Sequence, residues 1–209
     1  MASQDTKDSI LQAAQELFAE KGFPATSMRE ITTRAEVNLA AVNYHFGSKE
    51  GLLHALVRQC LEPINAERLS QLDAAEADAA AKGETVALRT TIRCFLEPAV
   101  RQFTECDVDM PCILARMHHE PHPGLDEIMT EILAPVVERF VVAVRAALPH
   151  RTPTEIVLRG HFMIGALLHL LDMRRSFLSN LTGGDLDPND HEFMLEQLVS
   201  FCTAGFAHD

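Results

Sequence analysis

The longest apolar run of this chain, residues 162–171, is about ten residues and already carries His169, whereas a membrane-spanning helix needs roughly twenty. No membrane partner is expected. The first ten residues, MASQDTKDSI, are polar and carry both signs of charge, so no signal peptide is expected and the expected location is the cytoplasm. Cysteine is scarce and unpaired. The five residues Cys60, Cys94, Cys106, Cys112 and Cys202 are odd in number and include no CxxC. They read as buried thiols in a reducing compartment, not a disulfide framework; Cys106 with Cys112 is the one candidate redox pair. Basic charge is short too. Against 30 acidic side chains stand 18 basic ones, a net charge of −12, which taken alone argues against nucleic acid and anionic lipid. Glycine-rich phosphate loops, a Ser-His-Asp order and a strong metal motif are all missing, so the chain is expected to have no catalytic residue, cofactor or metal. The nearest approach to a metal motif is His118-His119-x-x-His122 with Glu120. Neighbouring histidines on a helix point apart and His122 lies between prolines, whereas a metal needs ligands converging on one point.

What is present is a globular composition. Of the 209 residues 47% are apolar and 23% charged, enough for one or two domains with a buried core. The charge is uneven. Residues 1–60 hold six basic groups (Lys7, Lys21, Arg29, Arg34, Lys49, Arg58) against seven acidic ones, so nearly all of the negative charge lies beyond them. A near-neutral head on an acidic body can bind DNA if its basic groups share a face.

The chain reads as helices. From Ser9 to Lys21 the residues Ile10, Leu11, Ala14, Leu17 and Phe18 keep helical spacing. Gly22 and Pro24 end that helix. Ser27-Met28-Arg29-Glu30 is a capping box, with the serine hydroxyl accepting from the Glu30 N–H and Glu30 reaching back. A short helix follows, with Ile31 and Ala35 inward, and stops near Val37. Asn38 is a good N-cap for a second short helix, 39–46. Gly47 ends it, and Ser48 caps a longer helix with Leu52, Leu53, Leu56, Val57, Cys60 and Leu61 on its apolar side.

Two helices of about eight residues with a three-residue joint outline a helix-turn-helix. On the second, Val42 and Phe46 share one side. Ala40, Ala41, Tyr44 and His45 face away, with Asn43 on the flank. Small residues let the backbone approach base edges, and hydroxyl, imidazole and amide groups supply partners for phosphates and bases. Lys49 sits in the first turn of the next helix, where its charge opposes the helix dipole; that placement fits a phosphate contact. The alternative is a solvated corner of a helical bundle.

The run 41–53, AVNYHFGSKEGLL, and the run 14–27 with LFAEKGF and Thr26-Ser27 resemble the DNA-binding signature of the TetR family of bacterial regulators. The resemblance covers about 45 residues, and it implies an all-α chain: a three-helix helix-turn-helix domain at 1–50 and a helical ligand-binding and dimerisation domain at 51–209. It also implies that Ser27, Thr26, Tyr44, His45 and Lys49 hold phosphates, while Asn38, Leu39, Ala40 and Asn43 read bases or groove shape. Leu39 stands where many relatives carry a polar residue and Asn43 where an aromatic is common. A thymine-methyl contact by Leu39 and a base-edge bond by Asn43 follow as expectations.

Beyond residue 62 the reading is coarser. Residues 67–82 are alanine-rich and acidic, either a solvent-facing helix end or a mobile linker. Helices are expected at 85–103, kinked by Pro98, at 109–119, and at 125–148, interrupted by Pro135. Kinked helices leave room for a ligand. The strongest apolar helix is 154–181, and the last runs from about 191 to 206. Two such helices from each of two chains make a four-helix dimer core, which the resemblance implies and which supplies the second half-site; burial inside one subunit is the alternative. Phe95, Phe103, Met117, Phe140, Phe162 and Met163 are candidates to line a hydrophobic pocket, with plain core packing as the competing role. Arg116, with Arg89 and Arg93, is a candidate for a ligand carboxylate or phosphate, ion pairing being the alternative. His161 and His169 read as core or interface histidines. Residues 37–43 and 159–166 are similar to the PsrA subgroup of fatty-acid-responsive regulators, which implies a long-chain fatty acid or acyl-CoA as effector.

The expectation is thus a homodimeric bacterial regulator, a repressor released from a palindromic operator on double-stranded DNA by a hydrophobic small molecule. Alternatives are an activator, a regulator of an efflux system sensing drug-like hydrophobes, and a helical adaptor that binds no DNA.

Overall fold

The structure, a computed structural model, describes residues 2–105, 123–172, 180–187 and 190–208. Among the described residues all regular structure is helical: α1 (Ala2–Lys21), α2 (Met28–Arg34), α3 (Leu39–Phe46), α4 (Lys49–Ala81), α5 (Leu88–Glu105), α6 (Pro123–Ala147), α7 (Pro153–Asp172) and α8 (His191–Ala207). The expected all-α class is what is found. The chain divides into two compact units, Met1–Glu62 with Val108–Ile132, and Pro63–Asp107 with Leu133–Asp209. Helix α4 runs unbroken through residue 50 and carries Pro63 in its interior. The alanine-rich stretch 67–82 is therefore helix as far as Ala81.

In the first unit Ile10, Ala14, Leu17 and Phe18 of α1 are buried with Ile31 of α2, Val42 of α3 and Leu52, Leu53, Leu56 and Val57 of α4. Each of the larger side chains contributes about 1.5–3 kcal/mol relative to leaving it in water. Helix α1 begins at Ala2, earlier than its apolar stripe implies. Gly22, at φ 83°, ends it and donates its N–H to Phe18 O at 2.9 Å. The capping box of α2 forms as the sequence indicates.

The joint between α2 and α3 is a Schellman turn. Val37 N–H reaches Thr32 O at 3.0 Å and Glu36 N–H reaches Thr33 O at 3.4 Å. The residue in the left-handed position is Glu36, at φ 56°, where glycine is the usual occupant. A side chain there costs roughly 1–2 kcal/mol, of which a glycine would return part as extra chain entropy in the unfolded state. Glu36→Gly is expected to stabilise the protein by about 0.5–1 kcal/mol. Denaturant titration checks it; an unchanged midpoint at unchanged slope would mean that the turn relieves the strain in another way.

In the second unit the core centres on three rings. Phe140 of α6 lies 4.6 Å from Phe95 of α5 and 5.6 Å from Phe206 of α8, centroid to centroid. Helices α5 and α6 continue past Pro98 and Pro135. Pro98 removes the donor that would reach Cys94 O, and the buried Arg68 of α4 donates from Nε to the next carbonyl, Phe95 O, at 2.8 Å. Arg151 and Arg159 hold the end of α8, donating to the His208 carbonyl. Cys60, Cys94 and Cys202 are buried, and burial raises the Cys202 thiol to about 11; Cys106, Cys112 and the His118–His122 cluster lie outside the described residues.

Candidate nucleic-acid interface

Helix α3 spans the eight residues expected of it and is fixed at both ends. Asn38 Oδ1 accepts from the Ala41 N–H at 2.8 Å, an N-cap contributing about 1 kcal/mol. At the other end Gly47, at φ 74° and ψ −52°, lets Ser48 N–H bond Phe46 O at 2.8 Å, a γ-turn that side-chain-bearing residues rarely adopt. Ser48 Oγ then accepts from Gly51 N–H at 3.0 Å and starts α4. At Gly51 the two helices touch backbone to backbone: a Cβ there would stand 2.0 Å from Phe46 O.

Anchored in this way, α3 buries Val42 completely and turns its other face outward. Tyr44 is 84% exposed and Leu39 50%. Ala40 and Asn43 are exposed with them, and His45 is half-buried, its ring edge-on to Tyr44 at 5.1 Å. Asn38 is exposed at the head of the helix and keeps its amide donor for another partner.

Two residues expected on this surface do other work. Thr26 is 2% exposed, and its hydroxyl donates inward to Leu17 O at 3.2 Å and Gly22 O at 2.9 Å. It latches the α1–α2 turn and is not presented to a phosphate. Lys49 sends its ammonium back to the same turn, donating to Phe23 O at 3.0 Å and Thr26 O at 2.9 Å, above the Phe23 ring at 4.4 Å. Two of its three donors are committed; only the third is available to DNA.

Ser27 is exposed, but its hydroxyl donates to Glu30 Oε2 at 2.8 Å. The Glu30 carboxyl is held down to about 2, first by Lys21 at 2.5 Å and then by the N–H and O–H of Ser27. A phosphate approaching Ser27 has to draw that hydroxyl away from a carboxylate.

Charge pairing exposes a residue that the sequence reading passed over. Lys21 pairs with Glu30, Arg34 with Glu16 and Glu20, and Arg58 with Glu62 and Glu131. Arg29, exposed in the first turn of α2, makes no side-chain bond among the described residues. No local signal marks it, because what distinguishes it is the tertiary pairing of its neighbours.

The candidate pocket residues divide. Phe95, Phe140 and Met163 are buried in the second unit, Phe103 is half-buried, and Phe162 is 63% exposed on the outer face of α7. The outward position of Phe162 removes it from any internal cavity of the protomer. Arg116 and Met117 lie outside the described residues. Arg89 and Arg93 border an open cleft of about 340 Å³ between α4 and α5. Their guanidinium groups are already engaged, Arg89 by Glu196 and Arg93 by Glu97, Glu192 and Glu196. They act as ion-pair partners and not as open anchors for a ligand carboxylate.

A capped helix-turn-helix that displays one face of its second helix has the geometry of a DNA-binding module. Residues 93–205 match the family described as "Tetracyclin repressor-like, C-terminal domain", and residues 10–56 match "Bacterial regulatory proteins, tetR family". The chain belongs to the TetR family of bacterial transcriptional regulators, proteins that bind DNA and are not enzymes. It is 47% identical over 57 residues to the probable HTH-type transcriptional regulator YttP of Bacillus subtilis, a match spanning 27% of this chain and 28% of that protein's length. It is 26% identical over 170 residues to the HTH-type transcriptional dual regulator CecR of Shigella flexneri, covering 79% of this chain and 75% of that one. Among solved structures, the fatty acid degradation regulator FadR from Bacillus halodurans has the same fold, with a TM-score of 0.67 at 14% identity over 98% of this chain and 97% of that one. HlyIIR, a hemolysin II transcriptional regulator, superposes with a TM-score of 0.63 at 17% identity over 99% of both chains.

Proposed function

We propose that the protein is a homodimeric cytoplasmic repressor that grips a palindromic operator and leaves it when a hydrophobic small molecule binds the second unit. The observation that carries this reading is the display of Leu39 and Tyr44 on a helix whose opposite side, at Val42, is fully buried. Ser27, Arg29, Tyr44 and His45 hold phosphates, with the remaining donor of Lys49 beside them. Asn38, Leu39, Ala40 and Asn43 face the base edges. The outer faces of α7 and α8 pair two copies, which sets the two reading helices about one DNA turn apart. By length and composition α7 is apolar enough to cross a membrane, and a partner helix on its exposed face is the occupant that the dimer supplies. A long-chain fatty acid or acyl-CoA is the proposed effector, on the likeness of residues 37–43 and 159–166 to the PsrA subgroup; it shifts the population toward a head spacing that no longer fits successive major grooves.

Selection of sheared genomic DNA on the purified protein tests the reading. An enriched palindrome supports it, and no enrichment at low salt overturns it. On the selected site, Arg29→Ala is expected to weaken binding at every sequence and to lower the salt slope by about 2, one phosphate contact in each half-site, while Asn43→Ala alters preference among sequences. Unchanged binding in both would mean that the assigned face is wrong.

A further inference from the structure

Glycine inside a helix destabilises it relative to alanine, so each one calls for a reason. Gly51 has its reason within the chain, where a Cβ would stand 2.0 Å from Phe46 O; at Gly160 a Cβ would make ordinary contact with the Phe140 ring at 3.5 Å. Gly165 of α7 and Gly205 of α8 have none. Both are exposed, and a Cβ on either would meet nothing within 4 Å. Each lies one turn beyond an exposed ring, Phe162 before Gly165 and Phe201 before Gly205, these rings being 63% and 72% exposed.

The surroundings point to what comes against them. From Val157 to His169 the exposed residues of α7 are Val157, Leu158, His161, Phe162, Gly165 and His169. From Phe193 to Gly205 those of α8 are Phe193, Gln197, Ser200, Phe201, Ala204 and Gly205. None of these exposed residues is a carboxylate, a lysine or an arginine; Arg159 and Glu196, in the same stretches, are half-buried and engaged by the α8 end and by Arg89 and Arg93. In a chain of net charge −12, two copies repel each other across most approaches; a face without acid is where they can meet. A two-fold interface brings one patch against itself, so a self-complementary patch needs protrusions and depressions together. Rings beside open glycines provide both.

Resting on the dimer reading above, we propose that Phe162 and Phe201 of each protomer seat over Gly165 and Gly205 of the second copy and so set the register of the four-helix interface. The glycines let the partner helix approach closely, and the rings fill the space that results.

Sedimentation equilibrium on the full-length protein tests this with Gly165→Leu and Gly205→Leu. Each side chain enters open space in the protomer, so helicity is retained and the protomer is no less stable. Each is expected to raise the dimer dissociation constant by about 10- to 100-fold, the effect of overfilling a closed contact on both sides of the axis. Should a leucine variant lose helicity by circular dichroism, Gly165→Ala replaces it, with a weakening of about threefold expected from a single methyl group. A dimeric wild type whose folded variants dimerise just as tightly overturns the seating and leaves the dimer intact. A wild type that stays monomeric at every concentration overturns the dimer and the seating together.

Discussion

Gly51→Ala is expected to lower operator affinity by about 100-fold, since each of two half-sites loses contacts contributing about 1–3 kcal/mol. The added carbon would lie 2.0 Å from Phe46 O, the last carbonyl of α3, and neither backbone has a flexible side chain to move aside. Phe46 closes the helix that carries Tyr44 and His45, so a shift at its end displaces both. Recognition geometry tolerates only about 0.5 Å of such movement. The sign of the stability change separates this account from a local one. Helix propensity alone favours alanine over glycine by about 1 kcal/mol, whereas overpacking costs about 1–3 kcal/mol. A lower thermal midpoint with weakened binding is the expected pair of results. A raised midpoint with unchanged binding would show that the α3–α4 corner opens without moving the reading helix.

Phe140→Ala is expected to cost about 3–5 kcal/mol, the range for removing a large ring from a packed core. For a chain of this size that lowers the melting temperature by roughly 10 °C. Phe140 touches Phe95 and Phe206 and flanks Gly160, so its loss leaves a hole bounded by three other helices. A loss below about 1 kcal/mol would mean that the ring borders an already open cavity, as a ligand-lining residue does. The measurement therefore divides the two roles that the aromatic residues of the second unit can have.

The short-range features were readable in the amino-acid order. The Ser27–Glu30 box and the Asn38 cap each join groups three residues apart, and their chemistry is local. The inward Val42 follows from helical periodicity. The inward bonds of Lys49 to Phe23 and of Thr26 to Leu17 and Gly22 were not legible, because a cation or hydroxyl at a head group looks the same in the sequence whether it faces a carbonyl or a phosphate. The prolines at 63, 98 and 135 stay within helices, since packing compensates for a missing donor more often than composition suggests. Phe162 shows the limit of periodicity most clearly: spacing assigns a residue to a side of a helix but does not say whether that side meets its own core or another chain.

The chain holds no tryptophan and a single tyrosine, and that tyrosine is Tyr44, 84% exposed on the face of α3 turned away from the core. Its ultraviolet emission beyond the phenylalanine band therefore comes from one ring, located where a duplex would dock. Quenching by stacked bases, or a change in the ring's access to small quenchers, would report engagement of the reading helix directly. The protein carries its own fluorescent reporter at the proposed DNA interface, and no label or added aromatic residue is needed to use it.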